Sequence, residues 1–457
     1  MRQYYLLTVL FALTFQTVYA EELFGFRVYL KDKGNSGYSL DNPEDFLSLT
    51  ALERRWREGK PVDESDLPIA TAYIDSLVLQ GGIPVVQSRW FSTVVVTSAD
   101  STISRRLQKL SIVDSVKWVW KGNTCTFAKQ ERDASPLCPK NEPLKSPYGY
   151  AEKQIDMLNG IKLHEQGYRG KGMLVAVIDA GFMNADRISA FKSLDIAGTR
   201  NIVTPGQSVF SSDSHGTRVL SCMAANEPGF MTGTAPEASY WLIKSEDGRS
   251  EYAIEEDYWT AAVEFADSVG VKVISSSLGY FIFDAEEMNY GQASLDGKTA
   301  FITRAAEMAA EKGILLFVSA GNEGVGRWGK ITFPSDAANI LTIGAVASDK
   351  KKSIFSSVGF SADGRVKPDV VALGAGTTVV DSDGNILFAN GTSFSTPVLA
   401  GLGVCLWQAL PWLSNREIIE LIQRVSSQYK HPDIELGYGI PDMYKALNSE
   451  RRNARNK

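Results

Sequence analysis

The run MLVAVID, Met173–Asp179, is an almost unbroken apolar segment that ends on a carboxylate. Similar runs follow along the chain, and segments with helical spacing, such as EYAIEEDYWTAAVEFADSVG at 251–270, lie between them. The later runs are SYWLIK (239–244), VKVISSSLG (271–279), ILLFVSAGN (314–322) and ILTIGAV (340–346). Apolar strands that alternate with helices are typical of a parallel sheet covered on both faces. The sequence therefore predicts an α/β fold with three layers around a central parallel sheet.

Composition excludes several classes of protein. The chain has 457 residues, of which 44% are hydrophobic and 22% charged, as in a globular protein with a large core. Its net charge of -6 argues against a surface that binds nucleic acid or anionic membrane.

The first twenty residues have the pattern of a secretory signal peptide. Arg2 precedes the apolar stretch YYLLTVLFALTF, and the segment ends on the small residue Ala20. This stretch is too short for a membrane anchor, and no later run is long and apolar enough to span a bilayer. We therefore expect export across the inner membrane, to the periplasm, the cell surface or the medium.

The remainder divides into two units joined by a linker. Residues 21–121 show strand and helix patterns in the order β-α-β-β-α-β, which predicts a small ferredoxin-like α+β domain. Residues 122–148 contain four prolines and many charges, which predicts an exposed linker. Residues 149–457 form the second unit.

The four cysteines are too few to define a disulfide scaffold. Cys125 and Cys138 in the linker could be bridged in an oxidising compartment. Cys222 and Cys405 lie in apolar helical patterns, where a cysteine is usually a small buried hydrophobe.

Four polar residues lie at predicted strand ends and helix starts, where the active sites of parallel sheets are usually found. Asp179 ends the first run, Asn322 follows another, His215 lies in DSHGTRV, and Ser393 lies in NGTSFSTPVLAG, residues 390–401. Each has a plainer interpretation taken alone: a turn aspartate, a turn asparagine, a structural histidine and a helix N-cap. The other two histidines, His164 and His431, have no such neighbours, and we interpret them as structural.

Together the four residues fit a single mechanism. A serine at the positive end of a helix attacks, a histidine takes its proton, an aspartate orients the histidine, and an asparagine stabilises the oxyanion. The chain order Asp, His, Ser is one of the known orders of this triad.

On these segments the chain resembles the subtilases, the subtilisin-like serine peptidases. The resemblance covers roughly residues 150 to 450 and is carried by VAVIDAG, SHGTRV, SLG, SAGNEG and GTSFSTP. It implies a subtilisin-like fold and a serine endopeptidase acting through an acyl-enzyme. It also implies a triad of Asp179, His215 and Ser393, with Asn322 and the Ser393 N–H as oxyanion donors.

The resemblance extends to the substrate site and to the first unit. It implies that an extended substrate pairs beside Ser277, Leu278 and Gly279, and that Ser319, Ala320 and Gly321 form the other wall of the pocket. The first unit resembles the propeptide of secreted subtilases, which assists folding and blocks the site. We expect a self-inhibited monomeric precursor that acts on protein or peptide substrates. We assign no metal ligands and expect no cofactor for catalysis; structural calcium is common in the family, but we find no loop to assign it to.

Two positions depart from the family pattern. Ala180 stands where subtilases usually have Ser or Thr, so a hydroxyl that could support Asp179 is missing. Thr332 stands where many relatives have glycine at the pocket floor, which predicts a shallower pocket.

Three other classes of protein have sequence features that can be compared with this chain. An α/β-hydrolase esterase needs G-x-S-x-G and a different triad order, and residues 391–395 read GTSFS. A nucleotide-binding domain needs G-x-G-x-x-G or a P-loop lysine, and neither is present. The third alternative is a catalytically inactive binding protein on the subtilase fold, which labelling of Ser393 by a fluorophosphonate would distinguish.

Overall fold

The computed structural model describes residues 22–123 and 135–455. The predicted signal peptide, the middle of the predicted linker and Cys125 of the Cys125–Cys138 pair lie outside these ranges.

The first unit is a small antiparallel α+β domain, as predicted. Its four strands pair in the order β2-β3-β1-β4. They are β1 (Glu22–Leu30), β2 (Ile83–Ser88), β3 (Thr93–Ser98) and β4 (Val113–Asn123), and the helices are α1 (Leu49–Arg57), α2 (Thr71–Leu79) and α3 (Ile103–Leu107). One face of the sheet packs under α2 and α3 through residues such as Val28, Leu77 and Leu107. The other face is directed toward the second unit, because Val95 and Val119 belong to that unit's apolar cluster.

The second unit is built on a seven-stranded sheet in the order β13-β12-β11-β10-β5-β9-β6. Neighbouring strands are parallel throughout. The sheet strands are β5 (Leu174–Asp179), β6 (Asp195–Asn201), β9 (Ser239–Lys244), β10 (Val273–Ser276), β11 (Leu315–Ser319), β12 (Leu341–Val346) and β13 (Val370–Leu373). Two short antiparallel pairs lie outside it: β7 (Asn226–Glu227) with β8 (Met231–Thr232), and β14 (Ala375–Val380) with β15 (Ile386–Asn390).

Helices cover both faces, so the predicted three-layer arrangement is confirmed. The helices of this unit are α4 (Glu152–Asp156), α5 (Gly160–Glu165), α6 (His215–Ala224), α7 (Ile254–Ser268), α8 (Phe301–Glu311), α9 (Thr392–Ala409), α10 (Asn415–Arg424) and α11 (Met443–Arg455). One apolar cluster joins the sheet to α6, α9, α10 and α11. A second joins the opposite face to α7 and α8.

The predicted apolar runs correspond to the five inner strands, and none corresponds to the two edge strands. The strand β6 reads DIAGTRN and is largely polar, and β13 has only four residues. The polar residues of β6 are partly exposed at the edge of the sheet. The strand β13, VVAL, is apolar and buried, but four residues give only a short signal. Among the helices of the described ranges, none combines the length and apolar character needed to cross a membrane.

Strand order determines where the predicted site residues meet. The strands β11, β10 and β5 are consecutive and parallel, so their carboxyl ends share one edge. Asp179 ends β5, Ser277 follows β10, and Ser319 ends β11. The helix α9 begins close to this edge, because the Thr392 N–H donates to Asn322 Oδ1 just beyond β11.

Candidate active site

Asp179 and His215 form a hydrogen-bonded pair. The Nδ1 atom of His215 lies 2.7 Å from Oδ1 of Asp179, whose side chain is fully buried. Because Nδ1 donates to the carboxylate, Nε2 is left as the basic nitrogen. Burial lowers the pKa of His215, but the Asp179 charge and hydrogen bond raise it more, so the pKa lies above its usual value. The ring remains 31% exposed and therefore reachable from the cleft.

A close backbone approach brings this pair together. His215 is the first residue of α6, and Gly216 follows it. A Cβ on Gly216 would lie 2.4 Å from Gly181 O and 2.9 Å from Asp179 Cβ. Only glycine therefore lets the start of α6 pack directly against the end of β5, which explains the His-Gly pair in the sequence.

Ser393 stands at the amino end of α9, as expected. The helix begins at Thr392 after Gly391, whose φ of 155° favours glycine, and Ser393 is 8% exposed. Pro397 is the sixth residue of this helix. Because proline has no N–H, it leaves the Ser393 carbonyl without its helical donor. The Ser277 hydroxyl fills that place and donates to Ser393 O at 2.9 Å.

The hydroxyl of Ser393 points at a neighbouring carbonyl. Its Oγ donates to Ser277 O at 3.5 Å, a long contact. Within residues 22–123 and 135–455, it forms no hydrogen bond with His215. The His215 ring instead lies beside Phe394, with ring centroids 5.9 Å apart. The imidazole is thus adjacent to the Ser393 turn but not bonded to the hydroxyl, and such contacts often tighten only when substrate binds.

The side chain of Asn322 is held in place through hydrogen bonds to its amide oxygen. Its Oδ1 accepts from Thr392 N at 2.9 Å and from Thr392 Oγ1 at 3.1 Å. Its Nδ2 group donates to no atom of the described chain, and the residue is exposed. The amide NH₂ is therefore held beside the residue that precedes Ser393 and remains available to a ligand.

The two predicted walls of the substrate site lie on neighbouring strand ends. Within the described chain, the backbone groups of Leu278 and Gly279 bond to no other backbone group, which leaves them free to pair with an extended peptide. The opposite wall is fixed by its carbonyls: Ser335 Oγ donates to Ser319 O at 2.5 Å, and Thr332 N donates to Ala320 O at 3.1 Å.

Thr332 fills the space between these walls. A Cβ on Gly279 would lie 2.2 Å from Thr332 Oγ1, and one on Gly321 would lie 2.8 Å from Thr332 Cγ2. The side chain is buried, and its Oγ1 has no hydrogen-bond partner in the part of the chain that the structure describes. The Thr332 side chain therefore lies against both Gly279 and Gly321, and the shallow pocket remains a prediction.

The surroundings of Asp179 include one contact that the sequence did not predict. The Oδ2 atom of Asp179 is buried without a donor among the described residues, as the missing hydroxyl at Ala180 implies. Lys244 ends β9 in a buried position, and its ammonium donates to the carbonyls of Ala180 and, at 2.6 Å, Glu246. A lysine directly after an apolar run was the only sequence signal for this contact.

Metal binding has no evident location in this structure. In residues 22–123 and 135–455, no group of three or more His, Cys, Asp or Glu side chains is arranged to hold a metal ion.

Comparison with known proteins identifies the family. Residues 170–439 match the model of the subtilase family, peptidase S8, and residues 25–135 match the peptidase S8 propeptide domain of Bacteroidota. The first match alone covers more than half of the chain. The chain belongs to the subtilase family. It is thus a member of the subtilisin-like serine peptidases with an N-terminal propeptide domain.

Similar curated subtilases come from bacilli. Subtilisin NAT of Bacillus subtilis subsp. natto is 29% identical over 62% of this chain, and the match spans 66% of that relative, just under two thirds. Subtilisin DY of Bacillus licheniformis is 28% identical over 60% of this chain and 88% of its own length.

Two solved structures share the fold. MycP1 from the ESX-1 type VII secretion system has a TM-score of 0.52 at 20% identity, covering 70% of this chain and 90% of its own. The MycP3 protease from the ESX-3 type VII system has a TM-score of 0.53 at 22% identity, covering 69% of this chain and 94% of its own.

Proposed function

We propose that this subtilase is an exported serine endopeptidase, made as a precursor that its own propeptide inhibits. The observation that carries the proposal is the 2.7 Å bond between His215 and buried Asp179, beside the helix start that bears Ser393. Family membership supports the reaction class, and the geometry supports the role of each residue.

The reaction begins with the Ser393 hydroxyl. A turn about its Cα–Cβ bond takes Oγ from the long contact with Ser277 O toward Nε2 of His215, which accepts the proton as Oγ attacks the substrate carbonyl. The Asp179 carboxylate stabilises the imidazolium that forms. His215 then protonates the leaving amine, and water hydrolyses the acyl-enzyme by the same route in reverse.

The oxyanion is stabilised by donors that are already in place. Asn322 presents its NH₂ group because its Oδ1 is held by Thr392. The backbone N–H of Ser393 lies in the first turn of α9, where the helix dipole favours negative charge. Donors that need no rearrangement stabilise the transition state most effectively.

The substrate lies extended between the two walls and pairs with Leu278 and Gly279. Since Thr332 occupies the gap between Gly279 and Gly321, the pocket for the residue before the cut favours small side chains. Cleavage within the 122–148 linker by the enzyme itself would break the covalent connection between the propeptide and the peptidase domain. Export would follow from the apolar segment at residues 1–20.

A fluorophosphonate label tests the proposal on the purified, processed enzyme. We expect one label per chain on Ser393. The Ser393→Ala chain, which by this proposal cannot process itself and is cut by an added protease, should lose both label and peptide hydrolysis. Ser395→Ala is the matched control, because Ser395 is a buried serine in the same helix turn whose hydroxyl bonds to Thr392 O. A processed, folded chain that takes no label would instead support the inactive binding protein.

A further inference from the structure

The loop that follows β9, residues 245–251, borders the cleft on the side away from the pocket for the residue before the cut. That pocket lies between Gly279 and Gly321, beyond the ends of β10 and β11. In the sheet, β5 and β9 lie on the other side of β10 from β11. The 245–251 loop therefore lies beyond Asp179, opposite the pocket.

Contacts hold the 245–251 loop against both His215 and the cleft wall. On one side, a Cβ on Gly248 would lie 4.0 Å from Oδ2 of Asp213, whose Oδ1 accepts from the His215 N–H at 2.7 Å. On the other side, the hydroxyl of Tyr280, at the end of the wall segment, donates to Glu246 Oε2 at 2.6 Å. Glu246 thus lies between the catalytic histidine and the segment that pairs with substrate.

Glu246 has one carboxylate oxygen that is available to a ligand. Its Oε2 is held by Tyr280, whereas its Oε1 accepts no hydrogen bond from the described residues and remains accessible to solvent. The residue is half-buried. The carboxylate is therefore fixed through one oxygen and directs the other toward molecules that enter the cleft.

The acidic side chains around Glu246 have no compensating cation. Glu255 is fully buried in the first turn of α7 behind the loop, and the Asp247 N–H donates to it at 3.2 Å. Glu251, at the end of the loop, is half-buried. In the described ranges, no lysine or arginine forms an ion pair with Glu246, Glu251 or Glu255, and Arg249 of the loop pairs with Asp247 instead.

The surroundings oppose the negative charge of Glu246. Burial, together with the charges of Glu251 and Asp179, raises the pKa of the Glu246 carboxyl above its usual range, although the Tyr280 hydrogen bond acts in the opposite direction. An opposite charge close to a buried carboxylate stabilises its ionised form. A cation that contacts Oε1 would therefore bind with a gain that a neutral group cannot provide.

The second residue before the cut is the part of the substrate that faces Glu246. Successive side chains of an extended chain point to opposite sides. Because the residue before the cut enters the pocket at the ends of β10 and β11, its predecessor points toward the ends of β5 and β9, where His215 and Glu246 lie. The apolar stem of a lysine or arginine can lie along the imidazole while its charged end reaches Oε1.

We propose that Glu246 selects substrates with lysine or arginine as the second residue before the cut. The inference rests on the proposed function and deepens it, because it assigns a substrate class to the same cleft. The substrate cation donates to Oε1, while Tyr280 continues to hold Oε2. It supplies the positive charge that the residues around the loop lack.

The test compares kcat/KM of the processed enzyme for two peptides that differ only in the second residue before the cut. One peptide has lysine there, and the other has norleucine, an uncharged analogue of similar length. We expect the lysine peptide to be preferred at least about tenfold, as for a hydrogen bond between charged groups. Glu246→Gln keeps an acceptor for the Tyr280 hydroxyl and removes the charge, so it should abolish most of this preference.

Asp247→Asn is the matched control, because Asp247 is the neighbouring acid in the same loop and its carboxylate is already paired with Arg249 at 2.5 Å. This variant should keep the lysine preference of the parent. Equal kcat/KM for the two peptides in the parent would overturn the inference, as would a lysine preference that persists in Glu246→Gln.

Fluorophosphonate labelling shows whether each variant has an assembled active site. If Glu246→Gln takes no label, Glu246→Ala decides: loss of the lysine preference supports the inference, and its retention refutes it. A processed parent that hydrolyses neither peptide contradicts the proposed function instead. Fluorescence anisotropy with the same peptides then tests this inference separately, because tighter binding of the lysine peptide supports the role of Glu246 and equal binding refutes it.

Discussion

Replacing Thr332 by glycine should enlarge the pocket that receives the residue before the cut. The side chain of Thr332 occupies the gap between Gly279 and Gly321, and the change removes its three heavy atoms. A leucine or phenylalanine side chain could then bury two or three more carbons, each contributing about 0.8 kcal/mol. We expect the ratio of kcat/KM for a phenylalanine substrate to kcat/KM for an alanine substrate to rise roughly 30-fold. This factor corresponds to about 2 kcal/mol of activation free energy.

The assay is kcat/KM for peptides that differ only in that residue. Thr332→Val is the control, because it keeps the shape of the side chain and removes only the unpartnered Oγ1. Its substrate preference should match that of the parent, while thermal unfolding should show a stability gain of about 1 kcal/mol. An unchanged phenylalanine-to-alanine ratio in a folded Thr332→Gly enzyme would show that the pocket floor lies elsewhere.

Three further predictions concern the site and its support. Asn322→Ala should lower kcat by about 10²–10³ with little change in KM, a magnitude measured on subtilisin itself; equal losses in binding and turnover would contradict an oxyanion role. Since catalysis needs neutral His215, kcat/KM should rise as the pH increases through the raised pKa of His215. Asp179→Asn removes the charge that raises this pKa, so the rise in kcat/KM should occur at lower pH and the reaction should be slower. His164 is buried between Tyr148 and Thr234, and burial lowers its pKa to about 4. As the pH falls from 6.5 to 4, His164 is protonated in the unfolded chain before it is protonated in the folded one. The free energy of unfolding, measured with urea, should therefore fall by about 3 kcal/mol, and His164→Gln should not show this fall.

The sequence alone could place the candidate site because local patterns determine it. The inner strands are largely apolar; Asp179 ends one of them, and Asn322 lies three residues beyond the end of another. A parallel sheet brings such residues to one edge whatever the details of the loops. The five inner strands were found by this pattern, whereas β6 is largely polar and β13 has only four residues.

Contacts between distant segments could not be predicted in this way. The sequence places Glu256, Asp257 and Asp267 on a helix, where acidic side chains normally face water. All three are buried, because Arg27, Arg54 and Arg55 reach them from more than 200 positions away. These residues meet only when the two units pack against each other, and such packing produces no periodic pattern in the sequence. For the same reason, the hydroxyl of Ser277 gave no sign that it would satisfy the Ser393 carbonyl beside Pro397.

The end of α7 depends on a donor from outside its own segment. Its last turn carries Asp267 and no basic residue, although a helix terminus with free carbonyls favours positive charge. Arg54 supplies that charge and caps Val271 O. Once the propeptide has been degraded, this turn should fray, and amide hydrogen exchange at residues 264–271 should be faster in the mature enzyme than in the precursor. Maturation would then exchange some heat resistance for activity.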